Sequence, residues 1–313
     1  MKHLSQRDAF FNRIYELSIA DKDVVIVAAD MSAPALDKYR KDFPSRFINV
    51  GIAEQNAILI ASGLALEGKK VIAYAISPFI TMRCLEQIRV NNGIMKIPIT
   101  IAGMGVGFSY ENDGPTHHLI EDIAIMRAIP HVKIHNLTDS VMAAAYADIA
   151  CNTTETNYIR LDKNVYPSVY NPGFDFSEGM AMLREGKENY LLSTGCMTHV
   201  ALEIADTLSQ WGINMGVIDI YDFPINESIL LKMIKGAKKL LSLEEHFLPG
   251  GLGSHVCEVL NDHKRLIHVK RLGLPMDRGY CYRYGGREVI RGYYGIDKES
   301  LLRTICEYVE KER

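Results

Sequence analysis

The chain has 313 residues, 48% of them hydrophobic and 23% charged, with a formal net charge of -3. This is a soluble globular composition, long enough for two domains with separate cores, and it excludes the disordered and fibrous classes. The near-neutral charge supplies no basic face for nucleic acid and no electrostatic draw toward an anionic membrane, so neither is expected as a partner.

A helix is predicted over residues 6–20. The continuous apolar run VVIVAAD (24–30) then reads as a strand covered on both faces, as in a parallel sheet. FINV (47–50) is the next strand, followed by an Ala- and Leu-rich helix from residue 53 that ends at Gly68. KVIAYAI (70–76) is a strand and FITMRCLEQIRV (79–90) a helix. The strand IPITIAG (97–103) runs into a polar, glycine-rich loop, GMGVGFSYENDGPTHH, that ends at residue 118. A helix near 121–128, the strand HVKIH (131–135), a helix from about 139 and the strand NYIRL (157–161) follow. Residues 162–178, DKNVYPSVYNPGFDFSE, carry two prolines, a glycine and no helical period, which is linker composition. Alternation resumes with YLLST (190–194), a helix from about 196, NMGVIDIYD (214–222), a helix after Pro224, KKLLSLEE (238–245), a helix after GGLGS (250–254), LIHVK (266–270) and a last helix from about 297. Alternating strands and helices require crossover connections and open, mostly parallel sheets. The expected fold is therefore α/β, with two doubly wound domains at 1–165 and 180–313 joined by a linker at 166–179.

The six cysteines, Cys84, Cys151, Cys196, Cys257, Cys281 and Cys306, show neither a CxxC pair nor a metal-ligand spacing. They read as reduced thiols, mostly core filler, in a cytoplasmic protein. No metal ligand is expected in this chain. The opening residues MKHLSQRDAF lack the apolar run of a signal peptide, and no apolar stretch is long enough to span a bilayer.

In open parallel sheets, ligands bind beyond the carboxyl ends of the strands. The polar residues there are Asp30 after the first strand, Glu54 in GIAEQN after the second, Phe79 after the third, and Asp113, His117 and His118 in the loop after the fourth. Arg160, Asp162 and Lys163 follow at the end of NYIRL. Each has an ordinary structural reading. Glu54 is a carboxylate at a helix N-terminus, where the dipole alone is worth about 0.3–1 kcal/mol. Phe79 fits a core, Asp30 fits a turn cap, and the histidines fit a loop. A lone GGLGS turn before a helix is usually only a turn. The convergence of these loops on one rim is what sets the residues apart.

GIAEQN (51–56), SPFITMRCLEQIR (77–89) and DGPTHH (113–118), in this order and spacing, resemble the transketolase family, including its deoxyxylulose-phosphate-synthase and 2-oxo acid dehydrogenase beta-subunit relatives. The resemblance covers the whole chain: a thiamine-diphosphate pyrimidine-binding domain, then the family's C-terminal domain. It implies thiamine diphosphate as cofactor. The GDG motif of the family's preceding diphosphate domain does not occur. The implied arrangement is a split enzyme, in which a separate transketolase N-terminal subunit holds the diphosphate and most of the Mg2+ (or Ca2+) coordination. Self-association of this chain as a dimer within a heterotetramer is implied as well.

The resemblance also assigns residues. Glu54 matches the glutamate that hydrogen-bonds the pyrimidine N1′ and favours the imino form, whose nitrogen is then the base. Phe79 matches the aromatic side chain that stacks on the pyrimidine. Asp30, in an ADMS turn where the family has an ADLT-like one, is expected beside the cofactor, as are Ile52 and Arg83. Asp113, His117 and Arg160 are expected to face the sugar or sugar-phosphate substrate, with His117 also catalytic. The implied activity is a transketolase-type transfer (EC 2.2.1-like) of a two-carbon ketol unit, requiring the partner chain. The alternatives are a decarboxylating carboligase of the deoxyxylulose-phosphate-synthase type, a 2-oxo acid dehydrogenase beta subunit, and a non-catalytic scaffold. The scaffold reading is disfavoured because Glu54, Phe79, Asp113 and His117 are all present. No GxGxxG or Walker motif supports a nucleotide-binding module.

Overall fold

The computed structural model describes residues 4–310, which form two compact units: 4–110 with 116–174, and 111–115 with 175–310. Among the described residues, no helix is long and apolar enough to cross a membrane.

The first unit begins with α1 (Gln6–Ala20), capped by Ser5, whose Oγ accepts from the Asp8 amide at 3.1 Å. Then come β1 (Val24–Ala28), α2 (Pro34–Asp42), β2 (Phe47–Asn49), α3 (Glu54–Leu66), β3 (Lys70–Ile76), α4 (Ser77–Thr81) and α5 (Leu85–Gln87). A π-helical stretch (Ile88–Ile94) leads to β4 (Thr100–Met104), α6 (Asp122–Met126), β5 (Val132–Asn136), α7 (Ser140–Asn152) and β6 (Thr156–Leu161). The strands run in the order β5-β6-β4-β3-β1-β2, and every one of these neighbours is parallel. All five residues of β1 and of β4 are buried, which is why their sequences are apolar without alternation. The buried Gln6 amide ties α1 to the sheet, donating to the Leu137 carbonyl at 2.9 Å and accepting from the Asp162 amide at 2.8 Å. Arg13 on α1 forms a bidentate pair with Asp148 on α7.

Three local features depart from the sequence reading. The helix expected over 79–90 is interrupted: α4 stops at Thr81, and the Met95 amide reaches back five residues to the Val90 carbonyl. An additional helix, α2, starts at Pro34, whose fixed φ suits a first helical turn. The proline-bearing stretch from 166 to 174 packs on the first unit. Asp139 caps α7 through the Met142 amide, and its second oxygen accepts from the Val169 and Tyr170 amides at 2.7 and 2.9 Å. Tyr170 is buried there against Phe174.

The second unit contains β7 (Met180–Arg184), β8 (Asn189–Ser193), α8 (Met197–Gln210), β9 (Gly216–Ile220), the two-residue β10 (Asp222–Phe223) and α9 (Glu227–Met233). It continues with β11 (Lys239–Phe247), α10 (Leu252–Asp262), β12 (Val269–Leu274), α11 (Arg287–Tyr294) and α12 (Lys298–Glu310). Its sheet order is β12-β11-β8-β9-β7, parallel except for the antiparallel edge strand β7. The fold class is the expected one, two mostly parallel α/β sheets; β7 and α11 are additions to the sequence reading. In the GGLGS turn, Glu244 accepts from the Leu252 and Gly253 amides at 2.7 and 2.9 Å. A Cβ at Gly251 would collide with that carboxylate. The turn is thus an internal carboxylate cradle. The Tyr-, Arg- and Gly-rich stretch around α11 is anchored by charge: Glu245 binds Arg287 at 2.6 Å and Arg291 at 2.8 Å, with all three side chains buried.

Candidate active site

Four of the anticipated residues meet on the carboxyl rim of the first sheet. Glu54 opens α3, directly after β2, at a helix start whose cap residue, Ala53, makes no side-chain cap bond. An ordinary helix-end carboxylate is wet, whereas Glu54 is only 3% exposed. Its Oε2 accepts from Arg83 Nη1 at 2.6 Å. The Arg83 guanidinium carbon also lies 4.5 Å from the centre of the Phe79 ring. Phe79 sits in α4 immediately after β3 and is half-buried, so part of its ring stays open. His117 approaches that ring edge-on, with centroids 5.1 Å apart, and its Nδ1 shares a 3.1 Å hydrogen bond with the Thr116 hydroxyl.

The remaining expectations are distributed differently. Asp30 is exposed just after β1 in a left-handed conformation (φ 49°), uncommon for a residue with a Cβ. Its amide and that of Gly51 both donate to Asn49 Oδ1 at 3.0 Å, which ties the Asp30 turn to the GIAEQN loop. Ile52 projects into solvent. Asp113 is exposed on the Glu111–Pro115 segment, which clusters with the second unit. Arg160 differs most from expectation. It is 4% exposed and gives Nε and Nη2 to Asp122 at 2.7 and 2.9 Å, while Tyr158 donates its hydroxyl to the same carboxylate at 2.7 Å. It is thus engaged in an internal ion pair.

The structure adds four contributors that sequence reasoning misses: Asn49, Gln55, Tyr110 and Thr116. Gln55 Nε2 donates to the Arg83 carbonyl at 3.0 Å, fixing the backbone from which that side chain springs. Tyr110 lies 5.8 Å from His117, ring centre to ring centre, and its ring is seated over Gly105, where a Cβ would overlap it. Gln55 belongs to the GIAEQN motif and Thr116 to DGPTHH, so a signal for both exists in the sequence. Nothing local flags Asn49 or Tyr110. Cys84 Sγ lies 3.3 Å from the Phe79 carbonyl, and burial, with Glu54 nearby, pushes its thiol up to about 12. Cys84 is a neutral packing residue at neutral pH, not a nucleophile.

Comparison with known proteins assigns the class and then the family. Residues 2–168 match the transketolase pyrimidine binding domain and residues 179–301 the transketolase C-terminal domain. These two domains define an enzyme subunit of the thiamine-diphosphate class. The chain is 34% identical to a subunit of the apulose-4-phosphate transketolase of Actinobacillus succinogenes, over 90% of either chain. It is 32% identical to a 1-deoxy-D-xylulose-5-phosphate synthase of Halothermothrix orenii over 96% of its own length, spanning 48% of that protein. Among solved structures, a split gene transketolase, described as an inactive beta4 tetramer, superposes with a TM-score of 0.88 and 29% identity, over 99% of this chain and 100% of that one. The chain belongs to the transketolase family and is a transketolase-type transferase subunit.

Proposed function

We propose that this chain is the pyrimidine-binding subunit of a split transketolase, moving a two-carbon ketol unit between sugars or sugar phosphates in the cytoplasm. The observation that carries the reading is the bridge at Glu54 and Phe79: one flat, hydrogen-donating group already touches both the buried carboxylate and the aromatic ring. An aminopyrimidine is likewise flat and hydrogen-bonds a carboxyl group through its ring nitrogen, so these residues fit thiamine diphosphate. When bound, that cofactor supplies a carbon nucleophile for cleaving and forming bonds next to a carbonyl. Glu54 holds a proton at its Oε toward the pyrimidine N1′, and its burial keeps water from competing for that hydrogen bond. Phe79 fixes the ring plane. Asp30 and Ile52, on the adjoining turns, flank the cofactor. His117, oriented by Thr116, binds a substrate oxygen and passes a proton there, and Asp113 binds the hydroxyl beside the reacting carbon. Arg160 is left out of this set, because its guanidinium is engaged with Asp122.

The domain division is proposed at 1–165 and 180–313 with 166–179 between them; matches to two family domains, over 2–168 and 179–301, support two domains. A separate N-terminal subunit is proposed to hold the diphosphate and the Mg2+ (or Ca2+), giving a heterotetramer of two chains of each kind. The beta4 assembly of the similar split transketolase, described as inactive, supports the need for a partner. Self-association through α3 is supported by its surface: Leu59 and Leu66, seven residues apart on one helical face, are exposed, and a Cβ on Gly63 would meet nothing within 4 Å. The expected result is that the purified chain alone performs no ketol transfer, and that adding the partner with thiamine diphosphate and Mg2+ restores it. Full transfer by the chain alone would refute the split arrangement. The similarity to a deoxyxylulose-phosphate synthase favours one second reading, decarboxylative ligation; faster turnover of pyruvate than of ketose donors by the assembled enzyme would select it.

Phe79→Ala should weaken thiamine diphosphate binding to the assembled enzyme while the melting temperature without cofactor stays close to wild type. A fully packed core phenylalanine would instead cost about 3–5 kcal/mol of stability. A large melting drop with unchanged affinity would make Phe79 structural. Asp113→Ala removes a hydrogen bond to a charged group worth about 1.5–3 kcal/mol. It should lower kcat/KM for hydroxylated donors by that amount and for pyruvate-like donors by less, and His117→Ala should follow the same pattern. Equal losses with both donor types would argue against these two assignments.

A further inference from the structure

Arg83 makes the two contacts that the proposed function assigns to the pyrimidine ring. Its Nη1 donates to Glu54 Oε2 at 2.6 Å, and its planar head lies 4.5 Å from the Phe79 ring centre. Its main chain is held, the carbonyl accepting from Gln55 Nε2 and the amide donating to the Pro78 carbonyl at 3.4 Å. Its side chain is 44% exposed, against 4% for that of Glu54. The backbone is therefore anchored while the guanidinium stands at the solvent edge of a buried carboxylate. A buried carboxylate without a counter-charge is strongly disfavoured, and a guanidinium stacked on an aromatic face is a good way to supply one.

On the reading of Glu54 and Phe79 given above, we propose that Arg83 is a displaceable counter-ion: it occupies the Glu54 carboxylate and the Phe79 ring as a mimic of the aminopyrimidine, and thiamine diphosphate must push it aside to bind. A second flat group on the same carboxylate oxygen, Oε2, and the same face of the Phe79 ring would overlap the guanidinium. The pair therefore sets the cofactor affinity by competition. It also neutralises Glu54 until a ring arrives, and the outward swing needs only rotation of a side chain already half in water. Arg83 is thus a residue that tunes cofactor affinity, and it does not act on the substrate.

The test measures thiamine diphosphate binding, in the presence of Mg2+, by quenching of protein fluorescence in the chain assembled with its diphosphate-binding partner. Arg83→Gln should bind about tenfold tighter than wild type, equivalent to about 1.4 kcal/mol. Arg83→Lys, which keeps the charge and loses the plane, should fall between the two. Phe79→Ala, measured in the same series, reports on the site itself. If Phe79→Ala weakens binding while Arg83→Gln leaves it unchanged or weakens it, the competition is overturned and the site stands. If neither variant changes affinity, both the competition and the site assignment fail. A melting temperature without cofactor accompanies each variant. Should Arg83→Gln melt too low to measure, Arg83→Lys decides alone: affinity equal to or below that of wild type overturns the proposal.

Discussion

Glu54→Gln is expected to slow the loss of the cofactor's acidic ring proton by about 10²–10⁴-fold, the usual worth of a general acid–base step. Glutamine keeps the size of the side chain and its place at the start of α3, but it cannot share a proton with a pyrimidine nitrogen. The measurement is exchange of that proton for deuterium in the assembled enzyme without substrate, so neither sugar binding nor product release enters. Cofactor affinity should not collapse, because the Phe79 face and the diphosphate contacts proposed for the partner are untouched. The ion pair to Arg83 at 2.6 Å also loses its charge in this variant, which removes a competitor for the same ground. Exchange at the wild-type rate would reduce Glu54 to a carboxylate that serves the helix and Arg83 alone.

The second large effect is on stability and concerns Asp122, which is fully buried and accepts from both Arg160 nitrogens and from the Tyr158 hydroxyl. Burial, then the neighbouring carboxylate, holds that phenol well above its usual range, so it stays a donor throughout the working pH range. Asp122→Asn removes the carboxylate that pairs with the buried Arg160 guanidinium. Breaking such a pair costs about 3–5 kcal/mol, which for a unit of this size lowers the melting temperature by on the order of 10 °C. The double variant Asp122→Leu with Arg160→Met should recover much of the loss, since a buried pair replaced by packed apolar groups is often neutral. Arg160→Met alone should melt low and show an ordinary KM for phosphorylated sugars. An unchanged melting temperature with a raised KM would return Arg160 to the substrate site.

These two carboxylates illustrate how differently the chain discloses its contents. Glu54 is legible because its neighbours in GIAEQN and its position after a strand mark a helix start at a sheet rim, and topology then brings it to where ligands bind. Asp122 carries no local mark. Its importance comes from Arg160 and Tyr158, 38 and 36 residues further along, on a strand that parallel pairing lays beside β4 and β5. The pairing of Arg160 is hidden for the same reason: an arginine at a strand end gives no sign of its partner until the fold is known.

By itself the sequence determined the alternation of apolar strands and helices, the two α/β units and the succession of loops on the first rim. These follow from apolar periodicity, turn residues and chain order, all of which are local. The tertiary structure alone decided which charges pair and which faces stay open. Glu54 meets Arg83 across 29 residues, Glu245 gathers Arg287 and Arg291 to hold an unanticipated helix, and Asp139 fastens part of the expected linker. The physical reason is that a buried charge must be answered by whatever residue the fold brings within about 3 Å, and that distance is not written in the spacing of residues along the chain.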